Sequence, residues 1–238
     1  MVPSAPLDGQ LPEMAGTAPR LGMDAASRRT RIKICGCTTA GEVALAVAAG
    51  ADAVGVIFAP SPRQISIEQA ARALAEVPKQ LSLVGVFVDP STAELERAIT
   101  AMPRLIPQFS GSESPALCRH LGRPFLKVFR VPAGATELAL GLAARIADYP
   151  DALPIFETAS SQGGGSGRTF DWSQVEPVSA RQRVVISGGL NPGNVAACVS
   201  RLRPYAVDVR SGVESRGVKD PSKLAAFVSA VRGFDATT

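Results

Sequence analysis

Hydrophobic and polar positions alternate in a regular way from residue 31 to the end of the chain. Short runs of β-branched and other apolar residues are separated by Ala- and Leu-rich stretches whose apolar positions recur at helical spacing. Runs of this length and composition are typical of buried strands. They predict eight strands, at residues 31–35, 53–58, 81–87, 105–109, 125–129, 153–156, 183–186 and 205–209.

Amphipathic segments predict helices between these strands. The clearest segments cover residues 40–49, 67–75, 93–101, 137–147, 192–201 and 221–231, and weaker ones cover 112–121 and a short stretch after Phe170. Near-continuous apolar strands that alternate with helices are typical of a parallel sheet covered by helices. Eight units of about 26 residues favour an α/β fold that is a single (β/α)8 TIM barrel. A doubly wound sheet fits less well, because no G-x-G-x-x-G motif follows the first strand.

The first thirty residues differ in character from the rest of the chain. They are rich in Pro, Gly, Ala and Met and show no steady helical or strand period. This composition predicts a mobile or disordered N-terminal extension over 1–30, followed by a catalytic barrel domain over 31–238. The extension has no apolar core of a secretory signal, and no window of the chain approaches the length of a membrane span. We therefore expect no membrane partner.

Composition and charge exclude several classes of function. The net charge is +4 over 238 residues, and aromatic residues make up only 5%, so we expect no nucleic-acid partner. Four scattered cysteines and a single histidine, His120, provide neither a disulfide framework nor the ligand spacing of a metal site. We expect no metal, no cofactor and a reducing, cytoplasmic location.

Glycines cluster after the sixth, seventh and eighth predicted strands. Residues 164–167, Gly188-Gly189 and Gly212 would all lie at the carboxyl end of a barrel, where barrel enzymes carry their chemistry. Glycine loops at the last strands expose backbone N–H groups that bind phosphate without a charged side chain. Tight turns are the alternative explanation for each cluster alone. Three clusters on one face favour a phosphate site.

Two ionisable side chains end distant strands on the same predicted face. Cys35 follows the first strand and Glu157 follows the sixth. A lone cysteine at such a position is more often a small buried apolar residue. With a carboxyl group across the barrel mouth, however, the pair suits proton transfer. The residues by themselves thus indicate an isomerase or lyase that acts on a phosphorylated small molecule.

Several motifs, in order along residues 31–232, resemble those of the phosphoribosylanthranilate isomerase family. KICGCTT is similar to the family's opening K-I-C-G-[IL]-T, and VGVIFAPSPRQI to the stretch after its second strand. GGGSGRTFDW, ISGGLNPGNV and VDVRSGVESRGVKD are similar to the stretches that follow or include its sixth, seventh and eighth strands. The resemblance implies a barrel enzyme of tryptophan biosynthesis, an aldose–ketose isomerase that uses no cofactor.

The family's reaction is an Amadori rearrangement of N-(5-phosphoribosyl)anthranilate to 1-(2-carboxyphenylamino)-1-deoxyribulose 5-phosphate. Carried onto this sequence, the resemblance implies that Cys35 is the general base, Glu157 the general acid and Arg63 the contact for the anthranilate carboxylate. The residues implied to hold the phosphate are Gly165, Ser166, Gly167, Gly188, Gly189, Ser211 and Gly212. Family members are monomers or homodimers, so either state is expected here.

Three positions depart from the family pattern. Glu157 stands where the family has aspartate, Ser110 stands where it has a histidine, and Arg210 replaces a small polar residue beside the phosphate loop. All three lie on the predicted active face. They leave two alternatives to the isomerase open, namely a paralogous barrel isomerase for another phosphosugar amine and a non-catalytic barrel that binds a phosphorylated ligand.

Overall fold

A computed structural model describes residues 21, 29–132, 138–159 and 169–235. Eight parallel strands close into a barrel in sequential order, from β1 next to β2 around to β8 next to β1. The predicted (β/α)8 barrel is therefore confirmed. The strands are β1 Arg31–Ile34, β2 Ala53–Ile57, β3 Ser82–Phe87, β4 Leu105–Phe109, β5 Phe125–Val131, β6 Ala152–Thr158, β7 Val185–Ile186 and β8 Ala206–Val209.

Helices follow the strands and surround the barrel. They are α1 Ala40–Ala48, α2 Ile67–Ala73, α3 Thr92–Ala101, α4 Pro115–Arg119, α5 Leu138–Ala147, α6 Glu176–Ser179, α7 Val195–Leu202 and α8 Pro221–Asp235. Local sequence sets several helix starts. Ser66 and Ser91 each form a capping box with the residue three positions on, and Ser114 caps a helix whose first residue is a proline.

Successive side chains of each strand point alternately toward the helices and toward the barrel axis. In β1, Ile32 and Ile34 pack in the main core between sheet and helices, whereas Lys33 is fully buried and pairs with Asp208 of β8. This alternation decides which residues can reach the inside of the barrel. The strands read as continuous apolar runs because both faces are buried.

Element boundaries differ from the predicted ones in a few places. β6 extends to Thr158, so Glu157 belongs to the strand and does not merely follow it. α7 starts at Val195, three residues later than predicted, because Asn191 accepts a hydrogen bond from the Gly193 amide and forms a turn there. A short hairpin of β9 Glu214–Ser215 and β10 Val218–Lys219 was not predicted.

Part of the predicted N-terminal extension contacts the barrel. Leu21 is fully buried against the inward-pointing residues at the amino ends of the strands, among them Ala53 and Ala206. Its amide donates to the Tyr205 hydroxyl at 2.8 Å. The rest of the extension up to residue 28 lies outside the described residues, so its order stays a prediction. Leu21 closes the floor of the barrel, opposite the carboxyl ends of the strands.

We expect Leu21→Ala to destabilise the protein by about 2–5 kcal/mol, the usual loss for a fully buried leucine. Turnover at 25 °C should change little, because the floor is far from the mouth. Urea denaturation measures the loss, and Tyr205→Phe, which removes only the hydroxyl, should cost about 1 kcal/mol. A Leu21→Ala loss below about 0.5 kcal/mol, as at surface positions, would show that Leu21 does not fill the floor.

No helix among the described residues has the length and apolar character needed to cross a membrane.

Candidate active site

A cavity lies at the carboxyl ends of the strands. Its apolar wall includes Ile57, Val86 and Val88. Besides Ser61 of the loop after β2, its polar lining comes from six strands or from the residues that directly follow them, and consists of Cys35, Gln108, Ser110, Arg130, Glu157, Ser187, Asp208 and Arg210. Each is an inward-pointing position under the two-residue period of its strand. The cavity therefore brings together Cys35 and Glu157, as predicted from their places in the chain.

The backbone of Cys35 is held from two sides. Its amide donates to the carbonyl oxygen of Val209 at 2.9 Å, which continues the β1–β8 pairing by one residue. Its carbonyl oxygen accepts a hydrogen bond from Lys219 Nζ at 2.6 Å. Cys35 is only 6% exposed, and it lines the cavity. These contacts give the sulfur a defined position at the mouth.

A buried ammonium group lies below Cys35 on the inside of the barrel. Lys33 Nζ donates to Asp208 Oδ1 at 2.9 Å, and the Ser187 hydroxyl donates to Asp208 Oδ2 at 3.3 Å. Burial acts to lower the pKa of Lys33, whereas its interaction with the carboxylate of Asp208 acts to raise it, and the net result is a pKa above the ordinary value. Lys33 is therefore charged, and it favours negative charge on the groups beside it.

Cys37 differs from Cys35 although it is only two residues away. It is fully buried in the core between sheet and helices, and burial raises the pKa of its thiol to about 12. A thiol with such a pKa is protonated at neutral pH and makes a poor base. Of these two cysteines, only Cys35 lines the cavity.

Glu157 supplies a carboxyl group on the opposite side of the cavity. It pairs in register with Arg130 of β5, and its carboxyl oxygens make no hydrogen bond or ion pair with other described residues. Burial raises the pKa of Glu157, and the charge of Asp208 raises it further, while Arg210 and Arg130 oppose this shift. A carboxyl group with a raised pKa and open to a cavity is suited to donate a proton.

The structure places Arg63 beside this cavity and not in its lining. Its guanidinium forms a bidentate ion pair with Glu214, through contacts that include Nε to Oε1 at 2.9 Å. Glu214 also accepts from Lys219 Nζ at 2.7 Å. Burial acts to raise the pKa of Glu214, but its hydrogen bonds to Arg63 and Lys219 lower it overall. Arg63 thus joins the loop after β2 to the loop after β8.

The glycine loops after β7 and β8 lie against each other at the rim. Gly188 and Gly189 have φ of +86° and +67°, conformations that favour glycine. A Cβ on Gly212 would lie 1.9 Å from the carbonyl oxygen of Leu190, so only glycine allows this approach. Among the described residues, the amides of Gly188, Gly189, Ser211 and Gly212 have no protein acceptor. Gly165, Ser166 and Gly167 lie outside the described residues.

We expect Gly212→Ala to destabilise the protein by about 1–3 kcal/mol, because the new methyl group forces the two rim loops apart. Affinity for a phosphorylated ligand should fall at the same time. Gly233→Ala is the matched control, since nothing lies within 4 Å of its Cβ position in α8 and alanine favours the helix. Urea denaturation of both variants tests the expectation. Equal stability of the two variants would contradict it.

Reasoning from the sequence did not single out several polar groups of the cavity, among them Asp208 and Gln108. Asp208 pairs with Lys33 inside the barrel, and it also lines the cavity. Gln108 is buried with its Oε1 unpaired, while its Nε2 donates to Ser110 Oγ at 3.3 Å. The two-residue period of a strand could have found both, because Asp208 lies two positions before Arg210 and Gln108 two positions before Ser110. Within the described parts of the chain, no three potential metal ligands cluster.

The barrel and this cavity define a barrel enzyme with an acid and a thiol at its mouth. The sequence profile described as N-(5'-phosphoribosyl)anthranilate (PRA) isomerase matches residues 32–230. The chain therefore belongs to the phosphoribosylanthranilate isomerase family. It is 46% identical over 211 residues to the N-(5'-phosphoribosyl)anthranilate isomerase of Leptothrix cholodnii. The aligned region covers 87% of this chain and 93% of that protein.

Solved structures of the family are also similar to this chain. One contains monomers generated from the dimeric enzyme of Thermotoga maritima, with a TM-score of 0.72 and 34% identity over 86% of this chain and 99% of that one. A second has the same TM-score, identity and coverage. It is a complex of phosphoribosyl anthranilate isomerase with reduced 1-(o-carboxyphenylamino)-1-deoxyribulose 5-phosphate.

Proposed function

We propose that this chain catalyses the isomerisation of N-(5-phosphoribosyl)anthranilate to 1-(2-carboxyphenylamino)-1-deoxyribulose 5-phosphate in tryptophan biosynthesis. The observation that carries the proposal is one cavity lined by the thiol of Cys35 and by the carboxyl group of Glu157, which has no partner among the described residues. The membership of the chain in the family supports the same reaction. The reaction is an internal redox change of the sugar, so its electrons balance without a cofactor.

Two proton transfers make up the proposed mechanism. Glu157 donates its proton to the ring oxygen of the ribose, and the C1′–oxygen bond breaks to give a Schiff base. Cys35, as the thiolate, then removes the proton from C2′, which yields an enol that tautomerises to the ketone. The raised pKa of Glu157 and the charged Lys33 below Cys35 suit these two roles.

The phosphate group of the substrate is proposed to bind the rim loops. The amides of Gly188, Gly189, Ser211 and Gly212, which have no acceptor in the described parts of the chain, supply hydrogen-bond donors there. Gly165, Ser166 and Gly167 are proposed to complete the site from the loop after β6. Arg63 remains the residue that the family pattern assigns to the substrate carboxylate, although here it pairs with Glu214.

Three further points follow from the family and the sequence. We propose a monomer or a homodimer, and a structural relative is described as dimeric. The proposed catalytic domain begins at residue 31 and the extension before it plays no part in the chemistry. The four described cysteines are all free thiols, which agrees with a reducing cytoplasm as the proposed location.

A fluorescence assay of freshly generated phosphoribosylanthranilate tests the function. The purified full-length chain should remove the substrate well above its spontaneous hydrolysis rate and yield the carboxyphenylamino product. Loss at the background rate, from folded protein that still binds the reduced product analogue, would instead indicate a non-catalytic phosphosugar-binding barrel. Phosphoribosyl amines other than the anthranilate, run in parallel, identify a paralogue with a different substrate.

A further inference from the structure

We propose that Lys219 is a positioning residue, which fixes the base Cys35 relative to the loop after β8 that is proposed to bind phosphate. The inference rests on the proposed function and deepens it, because it concerns the second proton transfer of that reaction. Lys219 lies in β10 of the short hairpin, and its side chain is fully buried. A lysine is seldom buried unless its ammonium group is paired, so the acceptors of Nζ indicate its role.

The ammonium group of Lys219 has three acceptors, one for each of its N–H groups. Nζ donates to the carbonyl oxygen of Cys35 at 2.6 Å, to that of Arg210 at 3.3 Å and to Oε1 of Glu214 at 2.7 Å. The first acceptor belongs to the proposed base, and the second directly precedes Ser211. One side chain therefore joins the residue after β1 to the residue after β8, across the seam where the first and last strands meet.

The hairpin that carries Lys219 is itself bound to the segment after β1. The Lys219 amide donates to Oε1 of Glu42 at 2.9 Å. Oε2 of Glu42 accepts from both the amide and the hydroxyl of Thr38, each at 2.7 Å. Glu42 is buried, so few other positions are open to it. The backbone and the side chain of Lys219 thus both bind the segment that begins at Cys35, and Nζ approaches that residue from a fixed direction.

The position of the thiol depends on this support. β1 ends at Ile34, one residue before Cys35, and the backbone turns directly after it at Gly36, where φ is +74°. The sulfur itself lies against β2, because a Cβ built on Gly55 would be 2.9 Å from Sγ. Lys219 therefore fixes the backbone of the base. With the phosphate anchored on the loop after β8, a displacement near 1 Å would move the thiol off C2′ and cost about 10²-fold in rate.

Deuterium substitution at C2′ of phosphoribosylanthranilate tests this role. Cys35 is proposed to remove that hydrogen, so loss of Lys219 should slow this step. We expect Lys219→Met to lower kcat by about 10- to 100-fold, with an isotope effect at least as large as in the wild type. Here kcat is expressed per binding site for the reduced product analogue, counted by calorimetry, so unfolded molecules do not contribute. An unchanged kcat per site, or an isotope effect below that of the wild type, overturns the proposal.

Lys223→Met is the matched control, because Lys223 holds the same hairpin without a contact to Cys35. Its Nζ donates to the carbonyl oxygen of Glu214 at 2.6 Å. This variant should keep kcat per site and the isotope effect of the wild type. Equal losses of kcat per site in Lys219→Met and Lys223→Met would show that only the hairpin matters, and would overturn the assignment.

A second pair of variants serves if Lys219→Met does not fold. Glu214→Gln removes the buried negative charge that Lys219→Met would leave with Arg63 as its partner. The combination of Glu214→Gln with Lys219→Met then lacks the hydrogen bond to the Cys35 carbonyl and has no buried carboxylate short of a cation at this point. Its kcat per site should be lower than that of Glu214→Gln alone by the same 10- to 100-fold, about the cost of misplacing the base. Equal values overturn the proposal.

Alkylation of Cys35 keeps the test independent of turnover. A wild-type chain that folds but does not turn over the substrate refutes the proposed function, and the role of Lys219 is then measured with iodoacetamide and mass spectrometry of the Cys35 peptide. The thiolate is the reacting form, and neighbouring cations favour it. Lys219→Met should therefore slow alkylation relative to Lys223→Met. Equal alkylation rates would refute the role of Lys219 as well.

Discussion

Replacing Cys35 with alanine should lower kcat by about 10³- to 10⁴-fold, near the upper end of what a positioned acid or base contributes. Among the described residues of β1 and the position directly after it, Cys35 is the one that lines the cavity, so no neighbour on that strand replaces it. The substitution removes one sulfur atom from a site that lines a cavity, and the backbone hydrogen bonds of residue 35 do not involve the side chain. The fold and the affinity for the product analogue should therefore persist.

Cys118→Ala is the matched control for this experiment. Cys118 is also buried, but it lies in α4 and packs in the core between sheet and helices. Its substitution should affect stability without a large change in kcat. Turnover of both variants is measured with the fluorescence assay, and their folding by circular dichroism. Unchanged turnover in folded Cys35→Ala protein would remove the thiol from the mechanism.

Replacing Glu157 with glutamine should lower kcat by about 10²- to 10⁴-fold. The amide keeps the size of the side chain and can form hydrogen bonds, but it cannot transfer a proton to the ribose ring oxygen. Glu157→Asp separates chemistry from placement, because aspartate restores an acid that is one methylene shorter. We expect activity between those of the wild type and the glutamine variant, since a placement error near 1 Å costs about 10²-fold.

The pH dependence provides a second measurement of the same role. A general acid works only while protonated, and the pKa of Glu157 is raised by burial and by Asp208. The rate kcat/KM should therefore fall as the pH rises through that raised pKa, and Glu157→Gln should lack this limb. If kcat/KM of the glutamine variant still falls as the pH rises, the titrating group is not Glu157.

Stability should depend on Glu157 in a related way. Because the folded state raises the pKa of this group above its ordinary 4.5, the folded protein binds the proton more tightly than the unfolded chain. Stability contributed by this group is thus present below the ordinary pKa and is lost as the pH rises through the raised one. Glu157→Gln should then be at least as stable as the wild type at neutral pH, as measured by thermal unfolding. A large loss of stability at that pH would show that this half-buried carboxyl group has a stabilising partner, although none lies among the described residues.

Local pattern was sufficient to predict most of the architecture. A strand buried on both faces reads as an apolar run and an amphipathic helix reads as a 3.6-residue period, and both signals lie within about ten residues. All eight strands were predicted to within two residues at each end, and the fold class followed from their number and spacing. The weakest prediction concerned the region after Phe170, where α6 is a single turn that carries little periodicity.

For the candidate site, the sequence predicted which residues lie at the mouth of the barrel, because the order of the strands along the chain determines this. Cys35 and Glu157 end strands of a parallel barrel, so closure of the barrel places both at one mouth whatever the details of packing. The interpretation of Arg63 as an available cation came from the family pattern. Its pairing with Glu214, 151 positions away, could not be read from either local sequence.

The sequence by itself determined the barrel, its order of strands and the face that carries the polar groups, because periodic burial and strand order are properties of neighbouring residues. Only the tertiary structure decided which charges are paired. Lys33 meets Asp208, Glu214 binds Arg63, Arg210 is left open to the cavity, and Leu21 fills the floor. Such contacts depend on the radius and closure of the barrel, which no single stretch of the chain encodes.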